Sequence, residues 1–161
     1  MNNIDYRIRK LRSGEEALLD SFIYEAIFIP EGVPAPPRSI IGCPELQVYV
    51  KDFGKQPDDI CFVAETDGSV VGAVWVRIMD DFGHIDSETP SFAISLYKEY
   101  RGCGIGTALM KTMLDELRTR GYRQASLAVQ KANYAVRMYK SVGFDVVGEN
   151  DEEYIMVCIL N

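Results

Sequence analysis

The chain predicts a mixed α/β fold of the α+β mixed-sheet kind, a central sheet of about seven strands flanked by four helices. Three observations carry that prediction. Apolar runs of strand length alternate with stretches of helical period, in the order β-α-α-β-β-β-α-β-α-β-β. Asp67-Gly68 sits between two apolar runs, which makes those strands a hairpin and therefore antiparallel, while the helical crossovers farther on call for parallel neighbours. A glycine-rich turn, Arg101 to Gly106, joins a central strand to the longest helix. A length of 161 residues suits one domain, spanning 1–161, with one core.

Asp5 to Lys10 sets Tyr6 and Ile8 between charged residues, as a half-buried strand does. Ser13-Gly14-Glu15-Glu16 has the spacing of a capping box and opens a helix running to about Ile27. The prolines at 30, 34, 36 and 37, with Gly32, break regular structure and make a surface loop. A second helix is predicted from Pro44 to about Phe53, with proline in its first turn. Ile60–Glu65 and Val70–Ile78 are the hairpin strands, and the acidic stretch Met79–Thr89 is a loop. Phe92–Leu96 is the central strand. Gly104–Arg120 is a helix with Ile105, Leu109, Met113 and Leu117 on one stripe, stopped by Gly121. Ala125–Val129 is a strand, Asn133–Val142 a helix stopped by Gly143, and Phe144–Gly148 and Tyr154–Leu160 are two closing strands.

Composition narrows the function. The net charge of −7 and the lack of a basic patch argue against nucleic acid. No apolar run has bilayer-spanning length, and Met1-Asn2-Asn3-Ile4-Asp5 lacks the basic and apolar regions of a signal peptide, so neither membrane insertion nor export is expected. Cys43, Cys61, Cys103 and Cys158 are widely spaced, which fits a reducing cytoplasm and no zinc site. No metal is expected. Cys103 lies in the glycine turn without a histidine nearby to act as its base, so a covalent intermediate is not expected.

The turn Arg101-Gly102-Cys103-Gly104-Ile105-Gly106-Thr107 has three glycines in five positions, which brings backbone amides within reach of a ligand at a helix start. That is an anion site, most simply one for phosphate. A Walker A loop needs Lys-Ser or Lys-Thr after its last glycine, whereas Gly106 is followed by Thr107-Ala108. A dinucleotide fingerprint needs G-x-G-x-x-G straight off the strand and an acid at the end of the next one; the spacing here is G-x-G-x-G, and the next strand ends at Gln130.

Three separated features resemble the GNAT superfamily of acyl-CoA-dependent N-acyltransferases. Arg101-Gly102-Cys103-Gly104-Ile105-Gly106 is similar to its R/Q-x-x-G-x-G/A signature. Ile94-Ser95-Leu96 stands where the family's strand runs beside pantetheine. Asn133 to Phe144 is similar to its N-x-x-A-x-x-x-Y-x-x-x-G-F segment. The sequence departs at Lys98, where proline is common, and in having no acid on the central strand.

The resemblance implies acetyl-CoA as donor. The amides of Arg101, Gly102, Cys103, Gly104, Ile105, Gly106 and Thr107 would hold its pyrophosphate, and the main chain of Ile94 and Leu96 its pantetheine arm. Tyr139 is either a core residue or the general acid that protonates the leaving thiolate. Asn133 either binds pantetheine or caps its helix. Attack requires a neutral amine, so a base must take its proton. Glu88 leads the candidates for that role, followed by Asp86 and Asp81, with water as the alternative. His84 has no expected role. The acceptor groove would be built from the first two helices, the proline loop and the Met79–Thr89 loop. Glu25, Glu31, Asp52 and Glu88 would make it acidic and suited to a cationic amine, either a small molecule or a peptide. The rival readings are a non-catalytic acyl-CoA-binding sensor and a generic phosphate binder. The closing strands offer an edge for a homodimer.

Overall fold

The structure, a computed structural model, describes residues 4–160, so Met1, Asn2 and Asn3, which carry much of the signal-peptide reading, lie outside the described residues. Seven strands form one sheet: β1 (Arg7–Lys10), β2 (Ile60–Thr66), β3 (Ser69–Arg77), β4 (Ser91–Leu96), β5 (Gln124–Gln130), β6 (Phe144–Glu149) and β7 (Glu153–Ile159). Four helices flank it: α1 (Leu18–Glu25), α2 (Pro44–Val50), α3 (Ile105–Thr119) and α4 (Ala135–Ser141). The strand order is β1-β2-β3-β4-β5-β7-β6, with β4 and β5 parallel and the remaining neighbours antiparallel. The expected element order and mixed sheet are both present. Among the described residues no helix is long and apolar enough to cross a membrane.

Side chains alternate across each strand, so the two faces feed two cores. Phe92 and Leu96 of β4, with Leu127 and Val129 of β5, pack against Ile105, Leu109, Met113 and Leu117 of α3. Trp75 and Ala93, on the other face, pack against Leu19, Phe22 and Val50 of α1 and α2. The β2–β3 turn has Asp67 at φ 51° and Gly68 at φ 78°, the left-handed pair of a type I′ hairpin, as Asp-Gly predicts.

The first helix corrects the sequence reading. It starts at Leu18 behind Ala17, with no side-chain cap, rather than at a Ser13 capping box. Glu16, the glutamate of that box, accepts the Gly14 amide at 2.8 Å, while the Glu15 carboxylate takes Arg9 Nη1 and Nη2, both at 2.9 Å, and the Arg12 amide at 2.7 Å. The ion pair to β1 and the Glu16–Gly14 bond hold residues 13–17 as turns ahead of the helix. The α2 helix ends at Val50, earlier than expected, because the chain reverses at Asp52 (φ 54°). Arg77 locks that reversal in place, with Nε and Nη2 on Asp59 (3.2 and 3.1 Å) and Nη1 on the Val48 and Lys51 carbonyls (3.3 and 2.9 Å).

Candidate active site

The site is built where the sheet comes apart. Between β4 and β5 the described residues pair once in register, Ser91 with Ser126. Ser126 N–H donates to the Pro90 carbonyl at 3.0 Å, and Tyr97 N–H donates to the Val71 carbonyl at 2.9 Å. In an antiparallel ladder alternate residues bond the same neighbour, so the odd-numbered residues of β4 bond β3. Phe92, Ile94 and Leu96 therefore turn their backbone groups toward β5. Beyond the Ser91–Ser126 pair β5 is no longer there to meet them, and Ile94 faces an open fork. The Leu96 carbonyl is taken by Arg101 Nε at 3.0 Å. That leaves the Ile94 N–H and C=O and the Leu96 N–H as the groups an extended amide-bearing chain could pair with.

The glycine turn stands at the open end of the fork. Gly102 (φ 76°) and Gly104 (φ 86°) are both left-handed, and a Cβ added at either meets nothing within 4 Å. Space therefore opens above the backbone there. Among the described residues the amides of Gly102, Cys103, Gly104, Ile105, Gly106 and Thr107 find no acceptor, while the Arg101 amide is already directed at the Lys98 carbonyl, 3.3 Å away. These orphan donors sit at the start of α3, a helix of 15 residues, whose dipole favours negative charge there. The donor set suits a pyrophosphate, and the fork beyond it suits a pantetheine arm. The residues present thus fit coenzyme A.

The signature arginine does something different with its side chain. Arg101 Nη2 reaches the Glu25 carbonyl at 3.4 Å and its carboxylate at 3.3 Å, so Arg101 ties the turn to the end of α1. Cys103 turns its thiol back toward the Arg101 carbonyl at 3.6 Å. Gly106 is buried, and a Cβ added there would lie 3.3 Å from Met138 Sδ and 3.5 Å from Leu96 Cδ1. That contact gathers α3, α4 and the end of β4 at one point.

Tyr139 of α4 is buried beside Phe144, ring centroids 6.2 Å apart, and Phe144 meets Phe92 of β4 at 5.6 Å. Burial pushes its phenol up to about 12, so it holds its proton throughout the neutral range. Asn133 Oδ1 accepts the Ala135 amide at 2.9 Å, so its oxygen is spent on capping α4.

The acids are redistributed. Glu88 is exposed and lies in a depression shared with Asp58, Arg120, Tyr122 and Arg123, beside the end of α3 opposite the glycine turn. Fifteen helical residues separate the two ends by about 22 Å. Asp86 is exposed, and hydrogen bonds from the Thr89 hydroxyl and the Glu88 amide hold its carboxyl below the usual range. His84 is exposed. Glu25 is engaged by Arg101, Glu31 is exposed, and Asp52 lines a separate depression with Lys51, Lys55 and Arg77. The four acids expected to colour one groove are not gathered in one.

Asp81 is the acid at the fork. Its Oδ1 accepts from Ser91 Oγ at 3.2 Å and its Oδ2 from the Tyr49 hydroxyl at 3.0 Å. Burial raises its carboxyl above the ordinary value. Glu153 of β7 is raised as well, first by burial, then by the charges of Glu152 and Asp81. Tyr49 carries no pattern in the sequence that marks it, because its partner is 32 residues away. Gly83 is the local mark of this arrangement in the sequence. A Cβ there would stand 3.1 Å from the Ala128 nitrogen and 3.1 Å from the Leu127 carbonyl carbon, so only glycine lets the loop lie on β5.

Comparison with known proteins follows the same lines. The model of the acetyltransferase (GNAT) family matches residues 31–144. The mycothiol acetyltransferase of Thermobispora bispora is 38% identical over 85 residues, 52% of this chain and 29% of that protein. The N-alpha-acetyltransferase of Sulfurisphaera tokodaii is 29% identical over 97% of this chain and 94% of its own. The first curated relatives are longer proteins, and the match spans 29% to 40% of their length. The crystal structure of PaiA N-acetyltransferase from Thermoplasma acidophilum, in complex with coenzyme A, superposes with a TM-score of 0.72. It covers 97% of this chain and 99% of that one at 18% identity, which is a likeness of fold. The forked sheet, the amide-lined turn at the head of α3 and a family match over most of the chain agree: this chain belongs to the GNAT family of acetyltransferases.

Proposed function

We infer that the chain is an N-acetyltransferase that moves the acetyl group of acetyl-CoA to a primary amine. The observation that carries this reading is the set of orphan amides at Gly102–Thr107 together with the unpaired edge of Ile94 on the strand that leads into that turn. The names of the relatives, a mycothiol acetyltransferase and an N-alpha-acetyltransferase, support acetyl transfer to an amine.

Acetyl-CoA supplies a thioester, whose carbonyl carbon is open to an amine. The chain's own residues do the rest. The turn amides and the α3 dipole hold the pyrophosphate. The Ile94 amide lies on the path of the arm, where a donor directed at the thioester oxygen would favour developing negative charge. Tyr139, protonated at neutral pH, gives its proton to the leaving thiolate and is reprotonated before the next turnover. Among the described residues no cysteine has a histidine or other base within hydrogen-bond reach, which favours direct attack over a covalent enzyme intermediate.

The acceptor is a primary amine, small molecule or peptide, entering from the α1–α2 face. Cytoplasmic residence rests on four unpaired cysteines, and a homodimer through the free edge of β6 belongs to the same reading. Titration calorimetry with acetyl-CoA, followed by thiol release against a panel of primary amines, tests it. Micromolar binding with turnover on at least one amine is the expected result. Tight binding with no turnover on any amine would favour a sensor, and binding to another nucleotide but not to coenzyme A would favour a generic phosphate site.

A further inference from the structure

The central strand carries no acid, so the group that takes the amine's proton must come from elsewhere. We propose that Asp81, held by Tyr49 and Ser91 at the closed end of the β4–β5 fork, is that proton acceptor. The proposal rests on the acetyl-transfer reading above.

Its placement follows from the sheet. Ala93 packs against the α1–α2 core, and Ser95 Oγ donates to the Phe22 carbonyl of α1 at 2.6 Å, so the odd residues of β4 face α1 and α2. Ser91 is on that face, directly below Ala93. Tyr139 packs with the other core, around Phe92 and Phe144. The fork thus has a proton donor on one face and a carboxylate on the other. A donor lying in the fork would have its thioester between them, and an amine arriving from the α1–α2 side would meet Asp81.

Asp81 is also fixed in orientation. Both carboxylate oxygens are engaged, by Tyr49 from α2 and by Ser91 from β4. Ser91 Oγ in turn lies 3.2 Å from Ser126 Oγ, which donates to the Gly83 carbonyl at 2.7 Å. The loop is therefore fastened to the last β4–β5 pair from both strands. Each carboxylate oxygen has two lone pairs, so the hydroxyl it accepts does not by itself exclude an amine hydrogen or a bridging water. Glu153 on β7 is a second carboxyl near this set: its charge bears on Tyr49, and the charge of Asp81 bears on it. Burial outweighs the opposing hydrogen bonds from Tyr49 and Ser91 and makes the carboxylate a stronger proton acceptor than a solvated one, which supports the role the geometry assigns.

The step balances. The ammonium loses one proton to Asp81, and the freed lone pair forms the N–C bond to the acetyl carbon. The C–S bond breaks and its electron pair stays on sulfur, which takes the Tyr139 proton. The amide nitrogen's second proton and the one on Asp81 leave to solvent and to the phenolate, so one net proton is released per turnover. Tyr49 is a positioning residue and does not exchange a proton.

The experiment compares wild type, Asp81→Asn and Tyr49→Phe with the best primary amine from the panel. It measures kcat, kcat/KM against pH, and acetyl-CoA affinity by calorimetry. Asp81→Asn is expected to lower kcat by about 100-fold or more, to keep acetyl-CoA affinity within about twofold, and to abolish the ascending acidic limb of the pH profile. Tyr49→Phe is expected to lower kcat by about tenfold while retaining a shifted acidic limb. Should Asp81→Asn fail to bind acetyl-CoA through misfolding, the Tyr49→Phe profile decides, and an unshifted limb at wild-type kcat overturns the proposal. Wild-type kcat and limb in a folded Asp81→Asn also overturn it, while acetyl transfer stands. A wild-type protein that binds acetyl-CoA and turns over no amine overturns both.

Discussion

Burial of a titrating group gives a signature that separates function from scaffolding at Asp81. Its carboxyl lies above the ordinary 3.8 because burial disfavours the charge, so the folded chain holds that proton more tightly than the unfolded chain does. Folded-state stability is therefore lost as pH rises from the ordinary value through the raised one. Asp81→Asn removes this loss, and thermal melts from about pH 4 to about pH 7 should show a variant at least as stable as wild type at the upper end, with a flatter dependence. A fall in melting temperature at neutral pH would mark Asp81 as a structural residue. Tyr139→Phe keeps the ring packing on Phe144 and removes the phenol proton; kcat should fall by about 100-fold with melting temperature nearly unchanged. Gly104→Ala meets no atom, yet it forces a side chain into φ 86°, costing about 1–2 kcal/mol of stability. Calorimetry should show a weaker acetyl-CoA affinity as well, because the amides no longer converge.

At the scale of elements, two arginines decide where the helices sit. Arg77 and Asp59 are nearly buried, with side chains 9% and 1% exposed, and Arg77 also closes the end of α2 through two carbonyls. Arg77→Met leaves the buried Asp59 carboxylate without its cation, held only by the Gly54 and Gln56 amides, so chemical denaturation should show a loss of about 3 kcal/mol. Since α2 carries Tyr49, any folded fraction should also lose turnover. Arg9 acts at the other end of the same layer, joining β1 to the turn before α1. The Arg9 guanidinium beside Glu15 holds its carboxyl down to about 2. A lowered carboxyl contributes stability above its ordinary 4.5 and loses it as pH falls toward 2. Urea melts of wild type and Arg9→Met should therefore differ most above about pH 5 and converge only as pH falls through about 2. The gap should be about 1 kcal/mol or less, because the pair lies near the surface, where water and salt screen it. Element boundaries were legible wherever a local stop signal exists, as at Gly121 and Gly143. The start of α1 was not, because Glu15 pairs with Arg9 of β1 and residues 13–17 settle as turns ahead of the helix.

The whole molecule is a sheet with one deliberate opening, and its ligand response follows from that. A donor bridging the turn and the fork touches β4, α3 and the loop ties on both, and it has no site on the unfolded chain. Acetyl-CoA at 100 times its dissociation constant should stabilise the protein by about 2.7 kcal/mol, read as a rise in melting temperature. The sequence by itself determined the element order, the Asp-Gly hairpin, the amide-lined turn and the family segments at Arg101–Gly106 and Asn133–Phe144, because each is written in a short window by periodicity or backbone conformation. Tertiary structure alone decided which acid stands at the fork and what Arg101 does. Glu88 and Asp81 are equivalent as loop carboxylates in sequence, and seven residues separate them. Only the crossing of the loop over β5 at Gly83, and the Tyr49 hydroxyl brought in by α2, buries one and leaves the other in water. Long-range packing sets desolvation, and desolvation sets proton affinity; neither is encoded in the spacing of residues along the chain.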